Sequence, residues 1–300
     1  MDKKAYLSGY LLVATSAVTF SAKGIFAKIL YGYGMDPVTL LAFRFLIAMP
    51  LFWLAVFFFP SGKVSMKDAL ILVLSGLLGL YGAALADFYG LVYIDASIER
   101  VVLYTYPAIV VVWARLFFKE RLGKRKIFSI GLTYLGLILV LKLTSGIPAS
   151  NLIGGALVLF SAVVYSLSYI LTEVLGRRIS GVKISAYTTT AAGFAFIGTW
   201  HGKAVPHGIE AWSLLVLLAT LSTFIPVLTL ALGIKRIGAS RSALVSFVGP
   251  VSTAILSYLI LGERMDYVQI AGMGLVLAGV LIISLERAPM KIKLEPGIGN

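Results

Sequence analysis

The sequence contains no cysteine and only two histidines, and just 13% of its 300 residues are charged. The missing thiols exclude disulfides, thiolate catalysis and cysteine-based metal sites. Soluble domains carry about 25% charged residues, so this chain has too few charges to cover a water-exposed surface. Soluble globular, disordered and collagen-like classes are therefore excluded, and the composition indicates an integral membrane protein.

Hydrophobic residues make up 59% of the chain, run unbroken through 51–59, and are interrupted only by Gly279 and Ser284 in 275–285. A helix needs about 20 residues to cross the hydrocarbon core, so ten spans use about 200 residues and leave no room for a soluble domain. We predict an all-α membrane protein and treat the first apolar run, after Lys3 and Lys4, as a retained span. The ten predicted transmembrane helices cover residues 6–31, 37–59, 68–94, 98–118, 124–142, 151–176, 182–200, 212–235, 240–261 and 267–285. Pro37 is expected to start a helix and Gly262 to cap one.

The basic residues in the connections and near the ends of these spans are distributed unequally between the two sides, which leaves only Lys23, Arg44 and Arg115 deeper within spans. One side receives 18: Lys3, Lys4, Lys63, Lys67, Lys119, Arg121, Lys124, Arg125, Lys126, Arg177, Arg178, Lys183, Lys235, Arg236, Arg241, Arg287, Lys291 and Lys293. The other receives 5: Lys28, Arg100, Lys142, Lys203 and Arg264. The positive-inside rule then predicts that both termini are cytoplasmic in the cell membrane. The same rule accounts for the net charge of +13 without a nucleic-acid partner.

The two halves of the chain resemble each other at an offset of 143 residues. Pro107 and Pro250 are each followed, 13 residues later, by the pair Glu-Arg. The same offset matches Ala96-Ser97 with Ala239-Ser240, and three glycines with three others: Gly90 with Gly233, Gly131 with Gly274, and Gly136 with Gly279. We predict two five-helix repeats, residues 1–148 and 149–300. Because five is odd, the second repeat is inverted in the membrane, as in many secondary transporters with a central cavity.

These features resemble the EamA-like ten-helix transporters of the drug/metabolite transporter superfamily. The resemblance rests on the two matched halves, on the Pro-to-Glu-Arg segments, and on the positions of Lys23 and Arg44 in spans one and two. It covers nearly the whole chain. It implies a central cavity lined by eight helices, with spans five and ten outside it, and efflux or exchange of small metabolites, often amino acids.

Three charged residues, Lys23, Arg44 and Asp87, are predicted to lie in the outer half of the membrane, roughly 10–12 Å from the outer ends of their helices. The counterpart of Asp87 at the offset of 143 is Leu230, and those of Lys23 and Arg44, with a shift of two further residues, are Ser168 and Thr189, so the same helices can be built without the charges. Charges inside a membrane are costly and usually functional. The alternative is a buried ion pair that only holds spans one to three together.

We predict a substrate site formed by six residues: Lys23, Arg44, Asp87, Tyr104, Ser168 and Thr189. Lys23 and Arg44 would hold an acidic group, whereas Asp87 would hold an amine or exchange a coupling proton. Pro107 and Pro250 would kink their helices as paired gates. Glu120 and Glu263, at helix ends, are expected to serve turns rather than transport.

The sequence therefore predicts a secondary transporter that moves amino acids or related zwitterions across the bilayer by alternating access. An antiporter of anionic or phosphorylated metabolites is the main alternative, and a channel is a more distant one. No Walker motif, intramembrane histidine or paired-acid motif points to ATP use or enzymatic chemistry. We expect no cofactor and no metal.

Overall fold

A computed structural model describes residues 3–59, 63–118, 123–142, 149–176, 178–202, 205–237, 242 and 245–286. These residues are almost entirely helical. The α-helices are α1 (Lys3–Ser21), α2 (Lys23–Gly32), α3 (Pro37–Phe58), α4 (Met66–Gly76), α5 (Ala83–Tyr93), α6 (Ala96–Leu103), α7 (Tyr106–Phe118), α8 (Lys124–Val140), α9 (Ala149–Leu175), α10 (Gly181–Thr199), α11 (Gly208–Ala219), α12 (Ile225–Ile237), α13 (Val248–Leu261) and α14 (Tyr267–Glu286). Two π-helices, π1 (Leu77–Gly82) and π2 (Thr220–Phe224), join α4 to α5 and α11 to α12.

Six helical stretches in the described part of the chain are long and apolar enough to cross a membrane. They are Leu7–Gly32, Pro37–Phe58, Met66–Tyr93, Ala96–Trp113, Asn151–Leu171 and Gly208–Ile234. Val248–Leu261 and Tyr267–Ile282 are shorter apolar helices. The predicted all-helical, multi-pass membrane protein is confirmed at this level.

Local chemistry sets the ends of several helices as the sequence predicts. The Asp36 carboxylate accepts hydrogen bonds from the backbone N–H groups of Val38 (2.9 Å) and Thr39 (3.1 Å), and Pro37 stands in the first turn of α3. This satisfies N–H groups that lack a partner within the helix. At the other end of its helix, Gly262 caps α13 with a φ of +71°, which only glycine adopts without steric cost.

Spans one and four, predicted as continuous, are each interrupted. The first breaks at Ala22, between α1 and α2, and the second breaks at Tyr104 and Thr105, between α6 and α7. Pro107 has no N–H to offer the carbonyl of Leu103, and the Thr105 hydroxyl donates to the Val102 carbonyl (2.7 Å). Pro107 therefore stands at the second position of α7 instead of in mid-helix, and Pro250 likewise stands in the first turn of α13.

The irregularities of the helices recur at the offset of 143 residues. Leu77, where π1 begins, corresponds to Thr220, where π2 begins. Tyr104, in the break before α7, corresponds to Phe247, which precedes α13. These two residues contact each other, with ring centroids 6.4 Å apart. Because π-helices and broken helices are rare, their matched positions extend the similarity of the halves from sequence to backbone geometry.

Helix packing follows the same correspondence. The helix α1 packs on α12, and its counterpart α9 packs on α5. The counterparts α3 and α10 pack on each other, as do α8 and α14. In the last pair Gly136 and Gly272 cross so closely that a Cβ on either would lie 2.6–2.7 Å from the other's carbonyl oxygen.

Glu263 caps the first turn of α6, as expected for a residue that serves a turn. Its carboxylate accepts hydrogen bonds from the backbone N–H groups of Ala96 (3.1 Å) and Ser97 (3.3 Å). The Glu that follows Pro250 in the second half of the chain therefore binds the Ala-Ser pair in the first half. Its counterpart Glu120 lies outside the described residues.

Candidate functional site

The centre of the candidate site is a buried ion-pair cluster around Lys23, the first residue of α2. The Lys23 ammonium Nζ donates to Asp87 Oδ2 (2.5 Å) on α5 and to Glu99 Oε1 (3.0 Å) on α6. These three residues are 3%, 4% and 1% exposed. Lys23 and Asp87, predicted from sequence to lie at similar depth, are thus brought into direct contact. Glu99 was not among the predicted site residues.

The acidic side of this cluster is only partly satisfied. The second oxygen of the Asp87 carboxylate, Oδ1, is buried and has no hydrogen-bond partner among the described residues. Buried polar groups are nearly always hydrogen bonded. Asp87 therefore has one oxygen without a hydrogen-bond donor in the described part of the chain, in a cluster where the Glu99 carboxyl also contacts it.

Arg44 approaches the same region from α3 and is 5% exposed. Its Nε donates to the hydroxyl of Thr223 (2.8 Å), which in turn donates to the Leu218 carbonyl (2.8 Å). Thr223 belongs to π2, so Arg44 of the first half is held by the π-helix of the second half. Asp87 and Glu99 act on Arg44 electrostatically, but no carboxylate forms a salt bridge with it within the described part of the chain.

Arg100, like Glu99, is a buried charged residue that was not predicted to belong to the site. It was counted among the outer-surface charges, but it is 3% exposed within α6. The outer-side count of basic residues accordingly falls from 5 to 4, which strengthens the bias across the membrane. The reason for the error is that α6 begins at Ala96 and points its first turn into the protein, where Glu263 caps it.

Aromatic rings separate the three buried cations. The Phe88 ring lies 5.2 Å from the Arg44 guanidinium and 5.4 Å from the Lys23 ammonium, measured to the ring centroid. The Phe20 ring lies 5.8 Å from the Lys23 ammonium and 4.5 Å from the Arg100 guanidinium. Such cation–π contacts stabilise a cation away from water. In space the cations and rings alternate in the order Arg44, Phe88, Lys23, Phe20 and Arg100, and we call this arrangement the cation row.

The remaining predicted site residues lie at different distances from this row. Tyr104 is adjacent to it, since its ring lies 5.1 Å from the Arg100 guanidinium and its hydroxyl donates to the Ser246 carbonyl (2.7 Å). Ser168 pairs with Ser75 through their hydroxyl oxygens (2.8 Å) in the contact between α9 and α4. Thr189 is buried in α10. The structure thus brings Lys23, Arg44, Asp87 and Tyr104 together, and places Ser168 and Thr189 in helix contacts.

The Lys23 cluster joins two groups of helices. The helix α1 packs on α12 and α13, whereas α9 packs on α5, α6 and α7. The short helix α2 follows α1 and packs on α5 and α6 of the second group, as well as on α13 of the first group and on α11. Lys23 is its first residue, and both of its carboxylate partners belong to the second group. The ion pairs therefore link the two groups of helices.

Two further polar contacts join the ends of helices outside the Lys23 cluster. The Tyr33 hydroxyl donates to Glu210 Oε2 (2.7 Å), and this hydrogen bond to a carboxylate raises the pKa of Tyr33. Lys142 and Asp266 form an ion pair (2.5 Å), and the hydrogen bond from Lys142 lowers the pKa of Asp266. Both contacts are exposed to solvent, so they add little stability.

Comparison with known proteins places this geometry in context. The model of the EamA-like transporter family matches residues 7–142 and 152–285. The uncharacterized transporter YcbK of Bacillus subtilis (strain 168) is 32% identical over 88% of this chain and 88% of its own length. The uncharacterized transporter YyaM of the same organism is 27% identical over 93% and 94%. A solved crystal structure, 18% identical, covers 93% of this chain and 98% of its own with a TM-score of 0.66, and so supports the fold alone.

Proposed function

The chain belongs to the EamA-like transporter family, and from that premise we propose that it is a secondary active transporter of amino acids or related zwitterions. The proposal names a substrate class and a mechanism for a multi-pass membrane transporter. The observation that carries it is the buried Lys23–Asp87–Glu99 cluster, which presents charges of both signs where two groups of helices meet. No enzymatic role is proposed.

Transport by alternating access is supported by the matched halves of the chain. We propose that residues 1–148 and 149–300 are inverted repeats, each contributing five spans, with spans five and ten outside the central region. The counterpart packing of α1 on α12 and of α9 on α5 supports this arrangement. Two inverted repeats allow one geometry to close the outer side and its counterpart to close the inner side.

The present conformation fits a state closed toward the outside. The helix α2, in the outer half of span one, packs on α5 and α6, beside a large apolar cluster that includes Leu30, Leu40 and Leu215. The corresponding turns at the C-terminal end of α9 have no comparable packing on α12 within the described ranges. We propose that opening to the outside separates α2 from α5 and α6 and breaks the Lys23 ion pairs. The breaks beside Pro107 and Pro250 would serve as the paired hinges of this motion.

Separation of α2 from α5 and α6 exposes buried groups of both charges. A zwitterion suits this cluster because it carries one charge of each sign. Its ammonium group can replace Lys23 at Asp87 and Glu99, and its carboxylate can face the cations of the row. Lys23, Arg44, Asp87 and Tyr104 form the proposed site, with Ser168 and Thr189 on the surrounding helices. Buried charges are tolerated when paired, so the exchange of partners keeps each charge compensated through the cycle.

Phosphorylated metabolites are the second candidate class, favoured by the three cations of the row. A dianionic phosphate would face Asp87 and Glu99 as well as the cations, and like charges repel strongly at low dielectric. The mixed signs of the cluster therefore favour zwitterions.

The decisive functional test is counterflow in proteoliposomes. Vesicles loaded with an unlabelled mixture of the proteinogenic amino acids should accumulate labelled amino acids transiently, with saturation at high concentration. Sugar phosphates inside should not drive this accumulation. Linear uptake without counterflow would indicate a channel, and counterflow of sugar phosphates alone would overturn the zwitterion assignment.

Asp87 is also proposed to carry the coupling proton, because Asp87 and Glu99 are two buried carboxylates held around one ammonium, and two acids so close together favour sharing a proton. In the same vesicles, Asp87→Asn should lose uptake driven by a pH gradient but keep exchange, since Glu99 still compensates Lys23. If gradient-driven uptake persisted in Asp87→Asn, the proton would have to be carried elsewhere.

We further propose that both termini are cytoplasmic in the cell membrane, on the support of the basic-residue bias. Reporter fusions should give cytoplasmic activity for the segment 119–126 and external activity for the segment 201–207. Alkaline phosphatase activity at the first segment would reverse the orientation and, with it, the side on which α2 closes.

A further inference from the structure

We propose that Arg100 is the residue that anchors the acidic group of the substrate, a role that the predicted site had given to Lys23 and Arg44. The inference rests on the proposed function and makes it more specific. It follows from the unequal way in which the three cations of the row are compensated.

Lys23 already has two counter-ions, because two carboxylates lie within 3.0 Å of its ammonium. Arg44 is held by the Thr223 hydroxyl (2.8 Å). Arg100 has no carboxylate salt bridge among the residues described, and although the Tyr104 hydroxyl contacts its guanidinium, its Nε is buried without a hydrogen bond. A buried guanidinium is costly unless it is paired. In the part of the chain that the structure describes, Arg44 and Arg100 both lack a carboxylate partner, and Arg100 is the one whose Nε also lacks a hydrogen bond.

The surroundings of Arg100 hold its guanidinium in place without neutralising it. The rings of Phe20 and Tyr104 lie 4.5 Å and 5.1 Å from it. On a third side, a Cβ on Gly249 would lie 3.4 Å from Arg100 Nη2 and 2.7 Å from the Tyr104 hydroxyl. Arg100 thus lies where the breaks of spans one and four meet the start of α13. A planar guanidinium held this way presents its donors to a carboxylate in a fixed orientation.

Charge balance supports the same assignment. The cluster holds three cations (Lys23, Arg44, Arg100) and two acids (Asp87, Glu99), which leaves a net charge of +1 when all are ionised. A ligand carboxylate at Arg100 balances this excess positive charge locally. The ammonium of a zwitterion, which keeps the total at +1, would lie at the acidic side of the cluster, toward Asp87, whose Oδ1 has no hydrogen-bond partner among the described residues.

The test compares ligand binding to the purified full-length protein and to Arg100→Gln and Arg100→Lys, by thermal shift. The probes are the proteinogenic L-amino acids, their C-terminal amides, and a set of sugar phosphates. Arg100→Gln should weaken binding of the stabilising amino acids about 30-fold or more and abolish the preference for acid over amide. Arg100→Lys should retain part of that preference, and the matched control Arg115→Gln, an exposed arginine of the same span, should bind normally.

A second readout does not depend on the substrate. Because Arg100→Gln removes an uncompensated buried charge, the ligand-free variant should melt at the same temperature as the wild type or higher. If Arg100 were only structural, the substitution would lower the melting temperature.

The outcomes separate the two proposals. Amino acids that bind wild type and Arg100→Gln equally overturn the anchor and leave the proposed function standing. Sugar phosphates that bind through Arg100 support the anchor and overturn the zwitterion assignment. A wild-type protein stabilised by no anionic probe overturns both.

Discussion

Replacing Lys23 with methionine should abolish transport and destabilise the protein by about 3 kcal/mol or more, the usual cost of removing one partner from a buried ion pair. Asp87 and Glu99 would then be two buried carboxylates without the ammonium that now lies within 3.0 Å of both. The free energy of unfolding can be measured by titration with SDS, and transport by counterflow. The matched control is Lys28→Met, a half-buried lysine of the same helix α2, which should unfold and transport like the wild type.

The triple variant Lys23→Met, Asp87→Asn, Glu99→Gln separates folding from function. With all three charges removed, no carboxylate is left uncompensated, and stability should rise above that of Lys23→Met. The recovery should be partial, because Arg44 and Arg100 then have no acidic residue of the cluster near them. Transport should stay absent, because the groups that exchange partners with the substrate are gone. Normal stability of Lys23→Met alone would show that the ion pairs do not link the helices. Transport by the triple variant would show that the cluster is only a packing contact.

Helix ends could be predicted from the sequence because they depend on local chemistry. Asp36-Pro37 and Gly262 carry their capping roles in their own side chains and backbone preferences. The repeat offset likewise anticipated Lys23 and Asp87 as unusual, since their counterparts are Ser168 and Leu230. That Lys23 binds two carboxylates, and is thus not free for a ligand, depends on how α2 crosses α5 and α6. No periodicity in the sequence encodes that crossing.

Glu99 and Arg100 were missed because they stand three to four residues after the start of a span, where charges are usually exposed. A signal was nevertheless present. At the offset of 143 their counterparts are Ser242 and Ala243, so they satisfy the same criterion that singled out Lys23 and Asp87. Comparing every charged residue near a span with its counterpart in the other half would have identified the whole cluster. The π-helices, in contrast, were not foreseen from the sequence.

The central claim is that α2 must separate from α6 for transport to occur, and a reversible covalent link between them tests it most directly. A Cβ on Gly24 lies 3.1 Å from the Cβ of Ala96, a few tenths of an ångström short of the usual spacing in a disulfide. The protein has no cysteine, so Gly24→Cys with Ala96→Cys introduces the only pair. Each single variant is the control for the substitutions themselves.

Counterflow by the double variant should fall to the background of empty vesicles after oxidation and return after reduction, while both single variants respond to neither treatment. The link fixes the outer half of span one against the second group of helices, so the Lys23 ion pairs cannot open. Mass spectrometry of the same vesicles gives the fraction of protein that is cross-linked. If fully cross-linked protein carried out counterflow at the reduced rate, α2 would not be the outer gate, and the proposed cycle would be wrong.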